Sequence, residues 1–373
     1  MDLSRRRFLQ SSTATLAAGV AAGRGLLPSA AHAAGSPEVP GQGGPVPLLE
    51  GPMKGEIRQG DMIYRPLGTT GEKVSLIGLG GAHANGAGND EKVVALIRAA
   101  IDGGINFMDN CWDYGNGEAE RKMGLALRDG YRQKVFLMTK IDGRTRQAAA
   151  RQIDECLSRL QTDHVDLLQH HEILRMEDPD AVFAEGGAME AVVAARKAGK
   201  VRFIGFTGHK DPSVHLRMLD AAKRHSFHFD TVQMPVNLMD AHFRSFSREV
   251  IPHLTKAGIA LLAMKTMGGG ILLKSKAVDP IDCLHYAMSL PSATVIAGMD
   301  SPKRLEQAFE AVRTYKPLTR ERLAALLENT RVAAAEGKYE AYKTSTRFDG
   351  TTHNPQWLGY APWVPRGTSS EAV

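Results

Sequence analysis

Eight short apolar runs alternate with amphipathic stretches along this chain, and their starts are about thirty residues apart. One strand, one helix and two short loops take about that many residues, and continuous apolar runs suit parallel strands that are covered on both faces. Eight such units close a barrel, so the pattern predicts an α/β fold, a (β/α)8 TIM barrel. The predicted strands are residues 74–79, 105–108, 135–138, 165–168, 201–206, 231–234, 259–264 and 294–297.

The segments between these runs have the apolar periodicity of helices. The helix after the eighth run is predicted to begin with Ser301 as its N-cap and Pro302 in its first position. The rival architecture is a doubly wound Rossmann sheet, but Gly78-Leu79-Gly80-Gly81 lacks the third glycine of the dinucleotide-binding fingerprint, so the barrel is favoured. The predicted buried helix faces are Val93, Ile97, Ala100 and Ile101, then Ile153, Cys156, Leu157 and Leu160, then Leu305, Ala308, Phe309 and Val312.

Two further elements are predicted at the ends of the barrel domain, which spans residues 61–318. Residues 64–75 read as a β-hairpin with its turn at Gly68 to Gly71. Residues 319–373 are predicted to be a C-terminal extension, a helix over residues 319–336 followed by an aromatic tail that packs on the barrel. The aromatic side chains of that tail are Tyr339, Tyr342, Phe348, Trp357, Tyr360 and Trp363.

Residues 1–33 have the pattern of a cleaved export signal. Arginines precede Phe8-Leu9, residues 8–23 are uncharged, and Ala31-His32-Ala33 has the small-x-small pattern of a cleavage site. The pair Arg5-Arg6 ahead of this stretch resembles a twin-arginine (Tat) signal peptide, which implies export of an already folded protein by the twin-arginine machinery. The expected location is therefore periplasmic or secreted, with the cofactor loaded before export and no stable membrane insertion after cleavage.

Composition predicts a linker after the leader and argues against several classes of partner and site. Residues 34–60 contain seven glycines and five prolines, which predicts a linker that is flexible or wraps the domain surface. The formal charge of +5 falls to about +2 without the leader, whose four arginines face one aspartate, so nucleic acid is not an expected partner. Cys111, Cys156 and Cys283 are far apart and form no C-x-x-C pair, so neither a disulfide framework nor a structural metal site is expected.

Ionisable side chains follow the second, third and fourth predicted strands, at the end of the barrel where active sites lie. They are Asp109, Tyr114, Lys140 and His171. A lysine ammonium favours the phenolate of a nearby tyrosine, a buried aspartate keeps that lysine charged, and an imidazole can orient a substrate oxygen. The set predicts a site built around an acid-base tyrosine.

The motifs Phe107-Met108-Asp109-x4-Tyr114-Gly115, Thr139-Lys140 and Asp166-Leu167-Leu168-Gln169-His170-His171 resemble those of the aldo-keto reductase family, and the match of order and spacing runs from residue 64 to about 312. The resemblance implies a barrel closed at its bottom by a hairpin, and reversible reduction of an aldehyde, ketone or sugar by hydride transfer from a nicotinamide cofactor. It assigns the proton donor to Tyr114, its lysine partner to Lys140, the carboxylate of that lysine to Asp109 and the substrate-orienting imidazole to His171. His170 is expected on the opposite face of its strand.

The same resemblance implies a set of cofactor contacts. At three positions the sequence departs from the family pattern. Gly208 stands where relatives carry an amide side chain, Gly298 where NADP-preferring members often carry a lysine, and Asp300 would repel a 2′-phosphate. The family resemblance implies NADP as the cofactor, and the departures at Gly298 and Asp300 leave NAD open. The implied cofactor-binding residues are Thr207, Gln233, Lys265, Gly268, Gly269, Gly298, Arg304 and Gln307.

Two other functions stay open on the sequence. One is a redox-sensing or binding protein on the same barrel, which holds the cofactor without turnover. The other is a metal-dependent hydrolase that uses His170, His171, Glu172 and Asp109. The hydrolase is disfavoured because adjacent strand residues face opposite ways and no H-x-H spacing is present.

Overall fold

The computed structural model describes residues 44–360. The predicted twin-arginine leader, the first part of the predicted linker and Trp363 lie outside the described residues. Within residues 44–360, no helix combines the length and the apolar character that crossing a membrane would require.

Eight parallel strands form a closed barrel, and they pair in sequence order around the ring, so the predicted (β/α)8 fold is confirmed. Each strand is buried on both faces, apart from a few end residues, as the continuous apolar runs predicted. The barrel strands are β4 (Ile77–Gly80), β5 (Phe107–Asp109), β6 (Phe136–Ile141), β7 (Val165–His170), β8 (Val201–Thr207), β9 (Thr231–Pro235), β10 (Ala260–Met264) and β11 (Ser292–Gly298).

A small antiparallel sheet lies before the barrel and contains the predicted hairpin. Its strands are β1 (Ile57–Gln59), β2 (Met62–Pro66) and β3 (Lys73–Ser75), so the predicted linker contributes a strand that the sequence did not reveal. Leu67 and Val74 are fully buried in the same apolar cluster as the barrel side chain Phe107, so this hairpin closes one end of the barrel.

The first predicted strand, residues 74–79, was wrong as a single element. The structure divides it between β3 and β4, with a bend at Leu76. There the backbone N–H of Leu76 donates to Ile63 O at 2.7 Å, while the hydroxyl of Ser75 donates to Ile77 O at 2.7 Å. The chain changes sheets inside one apolar run, and hydrophobic periodicity does not register such a change.

Helices cover the barrel, and most of the predicted buried faces point inward. Leu157 and Phe309 are the exceptions, since both are only partly buried. The longer helices are α2 (Asp90–Asp102), α3 (Glu118–Ala126), α4 (Arg146–Leu160), α5 (Asp178–Phe183), α6 (Ala188–Lys197), α7 (Pro212–Arg224), α9 (Ile251–Ala257), α10 (Pro280–Met288), α11 (Pro302–Thr314) and α12 (Arg320–Arg331); the single turns are α1 (Gly81–Ala84), α8 (Phe246–Glu249), α13 (Ala341–Thr344) and α14 (Gly350–His353).

Two predicted helix ends need correction. Ser301 occupies the N-cap position of α11, but its hydroxyl donates to Asp300 and accepts no backbone N–H of the helix. The helix predicted over residues 319–336 ends at Arg331, and the chain then turns through Glu336, whose φ of 56° lies in the left-handed region. The following tail therefore starts its return toward the barrel earlier than the periodicity indicated.

The C-terminal tail packs on the rim of the barrel at the carboxyl ends of the strands. Trp357 stacks edge-on against Trp112 with ring centroids 5.6 Å apart, and its backbone oxygen accepts from the side chain of Gln152 at 3.0 Å. Tyr342 is buried, and its ring lies edge-on to that of Phe348. Tyr342, Phe348 and Trp357 thus pack this segment against the rim, and Phe348 lines the cavity at the barrel mouth.

Candidate active site

The lysine at the end of β6 lies at the centre of the site. Lys140 is 1% exposed, and its ammonium donates to the carboxylate of Asp109, to Asn110 O at 2.8 Å and to the hydroxyl oxygen of Tyr114 at 3.1 Å. Burial by itself would lower the pKa of Lys140, but the adjacent Asp109 carboxylate raises it above its ordinary value. Lys140 is therefore a fixed positive charge in contact with a phenol.

Tyr114 is held in its protonated form. Burial raises the pKa of its phenol well above the ordinary value, and the charge of Lys140 opposes this shift only in part. The sequence indicated a phenolate favoured by the lysine, whereas burial in the structure favours a neutral phenol beside a permanent cation. Such a phenol is suited to donate its proton to an oxygen that develops negative charge.

His171 follows β7 and lies edge-on to Tyr114, with the two ring centroids 5.9 Å apart. Its Nδ1 is 2.9 Å from Asp142 Oδ1, 3.2 Å from Cys111 Sγ and 3.7 Å from Asp113 Oδ1. Burial would lower the pKa of His171, but the carboxylates of Asp113 and Asp142 raise it above the ordinary value. The sequence had not placed these three neighbours of the histidine together.

A buried arginine fixes the backbone on which these groups stand. Arg144 is 1% exposed, and its guanidinium donates to the carboxylate of Asp178 at 3.1 Å. The same guanidinium donates to the backbone oxygens of Asp142, His171 and Glu172, each at 2.8 Å. One planar group thus joins the ends of β6 and β7 behind the site.

Of the four residues named for the alternative of a metal hydrolase, His170 lies apart, whereas Asp109, His171 and Glu172 line one cavity. His170 is buried on the other face of β7 from His171, edge-on to Phe229, and burial lowers its pKa to about 3. Glu172 accepts backbone N–H groups of Gly350 and Thr351 at 2.8 and 2.7 Å, so it anchors the C-terminal tail. The hydrolase hypothesis was therefore wrong about His170 as a ligand.

A cavity of about 590 Å³ opens over the four candidate catalytic residues and extends toward the start of α11. Of the implied cofactor residues only Gly268 does not line it, because Gly268 lies beneath the loop, where an added Cβ would be 2.3 Å from Leu272. A Cβ on Gly269 or Gly270 would meet no atom within 4 Å, which leaves the backbone open to a phosphate group. The cofactor-binding residues that line the cavity are Thr207, Gln233, Lys265, Gly269, Gly298, Arg304 and Gln307.

The far end of this cavity suits the anionic part of a dinucleotide. Arg304 lies in the first turn of α11, and its guanidinium donates to Gln307 Oε1 at 2.9 Å, so the two residues form a single polar edge. The N-terminus of a helix favours a negative charge. At the other end, Gln233 donates to the second carboxylate oxygen of Asp109 at 3.1 Å, which ties the predicted cofactor surface to the lysine site.

The glycines that depart from the family pattern are explained by close neighbours. A Cβ on Gly208 would be 2.3 Å from Ile173 O, so the position has no room for an amide side chain. A Cβ on Gly298 would be 2.7 Å from the ring of His83, which lines the cavity and had not been identified from the sequence. His209, the residue after Gly208, also lines the cavity, and its Nε2 lies 3.0 Å from Asp349 Oδ1 of the tail.

Lys265 gives the cavity a titratable cation. Its Nζ lies 4.6 Å from the ring centroid of Phe348, and it forms no ion pair with any residue of the described part of the chain. Burial lowers the pKa of Lys265 to about 8.

We therefore expect the affinity for a phosphate-bearing cofactor to fall as the pH rises through 8, because the lysine loses its charge. A lysine with this pKa goes from about nine-tenths protonated at pH 7 to about one-tenth at pH 9, which allows up to roughly a tenfold loss of affinity. Fluorescence titration of the cofactor at pH 7 and at pH 9 measures this change in affinity. Lys265→Met serves as the control and should flatten the dependence; an equal loss in the variant would show that another group titrates.

Comparison with known proteins agrees with this geometry. The family model described as "Aldo/keto reductase family" matches residues 76–282, just over half of the chain. Aldo-keto reductase YhdN of Bacillus subtilis is 30% identical over 226 residues, a match that covers 57% of this chain and 64% of that relative. L-galactose dehydrogenase of Arabidopsis thaliana is 29% identical over 296 residues, covering 68% of this chain and 89% of that enzyme.

A solved structure of an aldo-keto reductase from Bacillus halodurans, in its holo form, superposes with a TM-score of 0.61 at 22% identity and covers 74% of this chain and 99% of that one. This likeness supports the fold. With the family match over the barrel, and with the aspartate, tyrosine, lysine and histidine gathered at one rim, the chain belongs to the aldo/keto reductase family and is an NAD(P)-dependent oxidoreductase.

Proposed function

We propose that this protein is an exported reductase of small polar carbonyl compounds, with NADP as its preferred cofactor and Tyr114 as its proton donor. The observation that carries the proposal is the contact of Tyr114 with Lys140 at 3.1 Å, on the wall of a cavity that also holds Asp109 and His171. A protonated phenol beside a permanent cation can give up its proton to a carbonyl oxygen without any other acid.

Each of the four candidate catalytic residues has a separate role in the reduction. The bound nicotinamide supplies the hydride that a carbonyl carbon accepts. Tyr114 gives its proton to the carbonyl oxygen as negative charge grows there, and Lys140 stabilises the phenolate that remains. Asp109 keeps Lys140 charged and in place, and His171 orients the oxygen from the side facing the cavity. In the direction of oxidation the same groups act in reverse.

The preference for NADP rests on Arg304. Its guanidinium lies at the N-terminal turn of α11 beside Gln307, and an arginine there can pair with a 2′-phosphate. Asp300, which also lines the cavity, weakens this preference because its charge opposes the phosphate. Measured affinities for NADPH and NADH should therefore favour NADPH by a modest factor.

A polar substrate fits the cavity wall better than a hydrocarbon does. In addition to the four candidate catalytic residues, the wall carries the polar side chains of Asp113, Glu172, His353 and Asn354, together with apolar side chains such as Phe348. L-galactose dehydrogenase, a relative of this chain, acts on a sugar according to its name, which supports a hydroxylated aldehyde or ketone.

A panel of aldehydes, ketones and sugars, assayed by NADPH oxidation and by NADP reduction with the matching alcohols, tests this function. We expect turnover with at least one small hydroxylated carbonyl compound. Tight binding of NADPH with no product from any member would instead favour the non-turnover cofactor-binding protein.

Export by the twin-arginine machinery completes the proposal, on the support of Arg5-Arg6-Arg7-Phe8-Leu9 and the cleavage pattern at Ala31-His32-Ala33. Replacing Arg5, Arg6 and Arg7 with lysine keeps the charge and removes the arginine pair. In a bacterium with this export machinery, the wild type is expected in the periplasmic fraction and the lysine variant in the cytoplasm. Equal periplasmic amounts of both would contradict export by this route.

A further inference from the structure

We infer that Cys111, Asp113, Asp142 and His171 form a binding site for one transition-metal ion of the Zn²⁺ type, behind the histidine of the active site. The four residues come from the loop after β5, from the end of β6 and from the end of β7. Each offers one ligand atom, and all four atoms lie within 4.8 Å of one another. Binding of the ion is measurable without turnover, so the inference does not depend on the proposed reaction.

Three distances within the cluster are close to those between the ligands of a tetrahedral ion. Bonds of about 2.0 to 2.3 Å from zinc to nitrogen, oxygen and sulfur place neighbouring ligand atoms roughly 3.3 to 3.8 Å apart. The Nδ1 of His171 is 2.9 Å from Asp142 Oδ1, 3.2 Å from Cys111 Sγ and 3.7 Å from Asp113 Oδ1. The remaining ligand atoms, all within 4.8 Å of one another, would move together by up to about 1 Å to surround a common ion.

Two buried oxygens of the cluster have no hydrogen-bond partner. They are Asp142 Oδ2, on a residue with no exposed surface, and Asp113 Oδ1. A buried polar atom without a partner costs about 1 to 3 kcal/mol and calls for a specific cause. The Nδ1–H of His171 can satisfy a single acceptor, and it lies nearest to Asp142 Oδ1. A metal ion bound at this point would take Asp113 Oδ1 as a ligand and would place its positive charge beside the carboxylate of Asp142.

The charges of the cluster also favour a divalent cation. Two carboxylates and a thiol surround one imidazole, and the nearest buried cations have other partners. Lys140 is paired with Asp109, and Arg144 is paired with Asp178 and with backbone oxygens. A Zn²⁺ ion bound to a thiolate, an imidazole nitrogen and carboxylate oxygens would balance this negative charge, whereas Mg²⁺ and Ca²⁺ prefer oxygen ligands alone.

The ion would act on catalysis through the histidine. Binding at Nδ1 leaves Nε2 as the only protonated ring nitrogen, so the ring carries a single donor and a fixed orientation. Cys111, Asp113 and Asp142 would then be positioning residues, since none of the three needs to touch the substrate for this effect. The spacing of the sequence had shown no such site, because the ligands are spread over three β-strand ends.

The test is metal analysis of the full-length protein, purified without a metal-binding tag, together with titration of the chelator-treated protein with Zn²⁺ and Co²⁺. We expect stoichiometric zinc after purification, and a Co²⁺ spectrum with a thiolate charge-transfer band. Loss of an outer partner of a metal site costs about 10- to 100-fold in affinity, so Cys111→Ala should lose at least about 100-fold. Cys283→Ala, at a buried cysteine of α10, is the matched control and should keep both affinity and spectrum.

A folded Cys111→Ala protein with the same Co²⁺ spectrum as the wild type would overturn the inference. So would failure of the chelator-treated wild type to bind either metal. If Cys111→Ala does not fold, Asp142→Asn provides the second variant, since it keeps the shape of the side chain and removes a charged ligand. It should lower the affinity for Zn²⁺, and an unchanged affinity would contradict the site.

Discussion

Replacing Tyr114 with phenylalanine is expected to lower turnover by about 10² to 10⁴-fold, the usual contribution of a positioned acid, while the affinity for NADPH changes little. The phenol is the group that contacts Lys140, and phenylalanine keeps the ring beside His171 while removing the proton. Steady-state kinetics with the best substrate of the panel and a fluorescence titration of NADPH measure the two quantities separately.

The matched control is Tyr131→Phe, which removes a hydroxyl that donates to Asp102 on the protein surface. It should leave turnover unchanged. Turnover of Tyr114→Phe within a factor of about three of the wild type would mean that another group supplies the proton, and the assignment of Tyr114 would fail.

Replacing Arg144 with methionine is expected to destabilise the fold by about 3 to 5 kcal/mol, the usual cost of removing one partner of a buried ion pair. The carboxylate of Asp178 would be left without its cation, and three backbone oxygens would lose their donor. Denaturant unfolding followed by circular dichroism measures the change.

Arg331→Met is the control for this variant, because Arg331 forms an exposed ion pair with Glu328 on α12. Its unfolding curve should superpose on that of the wild type. An equal and small effect of both substitutions would show that Arg144 does not fix the strand ends.

Much of the barrel and its reactive centre follows from local pattern. The apolar runs give the strands because a strand covered on both faces needs apolar residues throughout, and the chain order of the strands then determines their neighbours. Asp109, Lys140 and His171 could be placed at one rim because the carboxyl ends of parallel strands meet there. The position of Tyr114 followed from its short distance along the chain from Asp109.

The surroundings of these residues could not be predicted in the same way. Glu172 was named as a metal ligand only in the disfavoured hydrolase alternative, and it accepts two backbone N–H groups of the C-terminal tail, almost 180 residues away. Asp349 contacts His209 across 140 residues. Such contacts depend on where a long segment returns to the barrel, and no periodicity within either segment encodes that return.

The surroundings of two glycines could not be predicted from the sequence either. Gly208 and Gly298 looked like losses of cofactor contacts, but each leaves room for a neighbour from another part of the chain, Ile173 in the first case and His83 in the second. The sequence identifies the absence of a side chain, whereas only the packed structure shows what occupies its place.

Transfer of deuterium to a carbonyl substrate from NADPH that carries deuterium at both C4 positions would show hydride transfer by this protein. Incubation of the purified protein with the labelled cofactor and the carbonyl panel, followed by mass spectrometry of the alcohols, follows the hydride itself. We expect the wild type to form an alcohol that carries one deuterium on the former carbonyl carbon. The amount of this alcohol should be much smaller with Tyr114→Phe. Tight cofactor binding without a deuterated alcohol from any carbonyl compound would contradict this expectation.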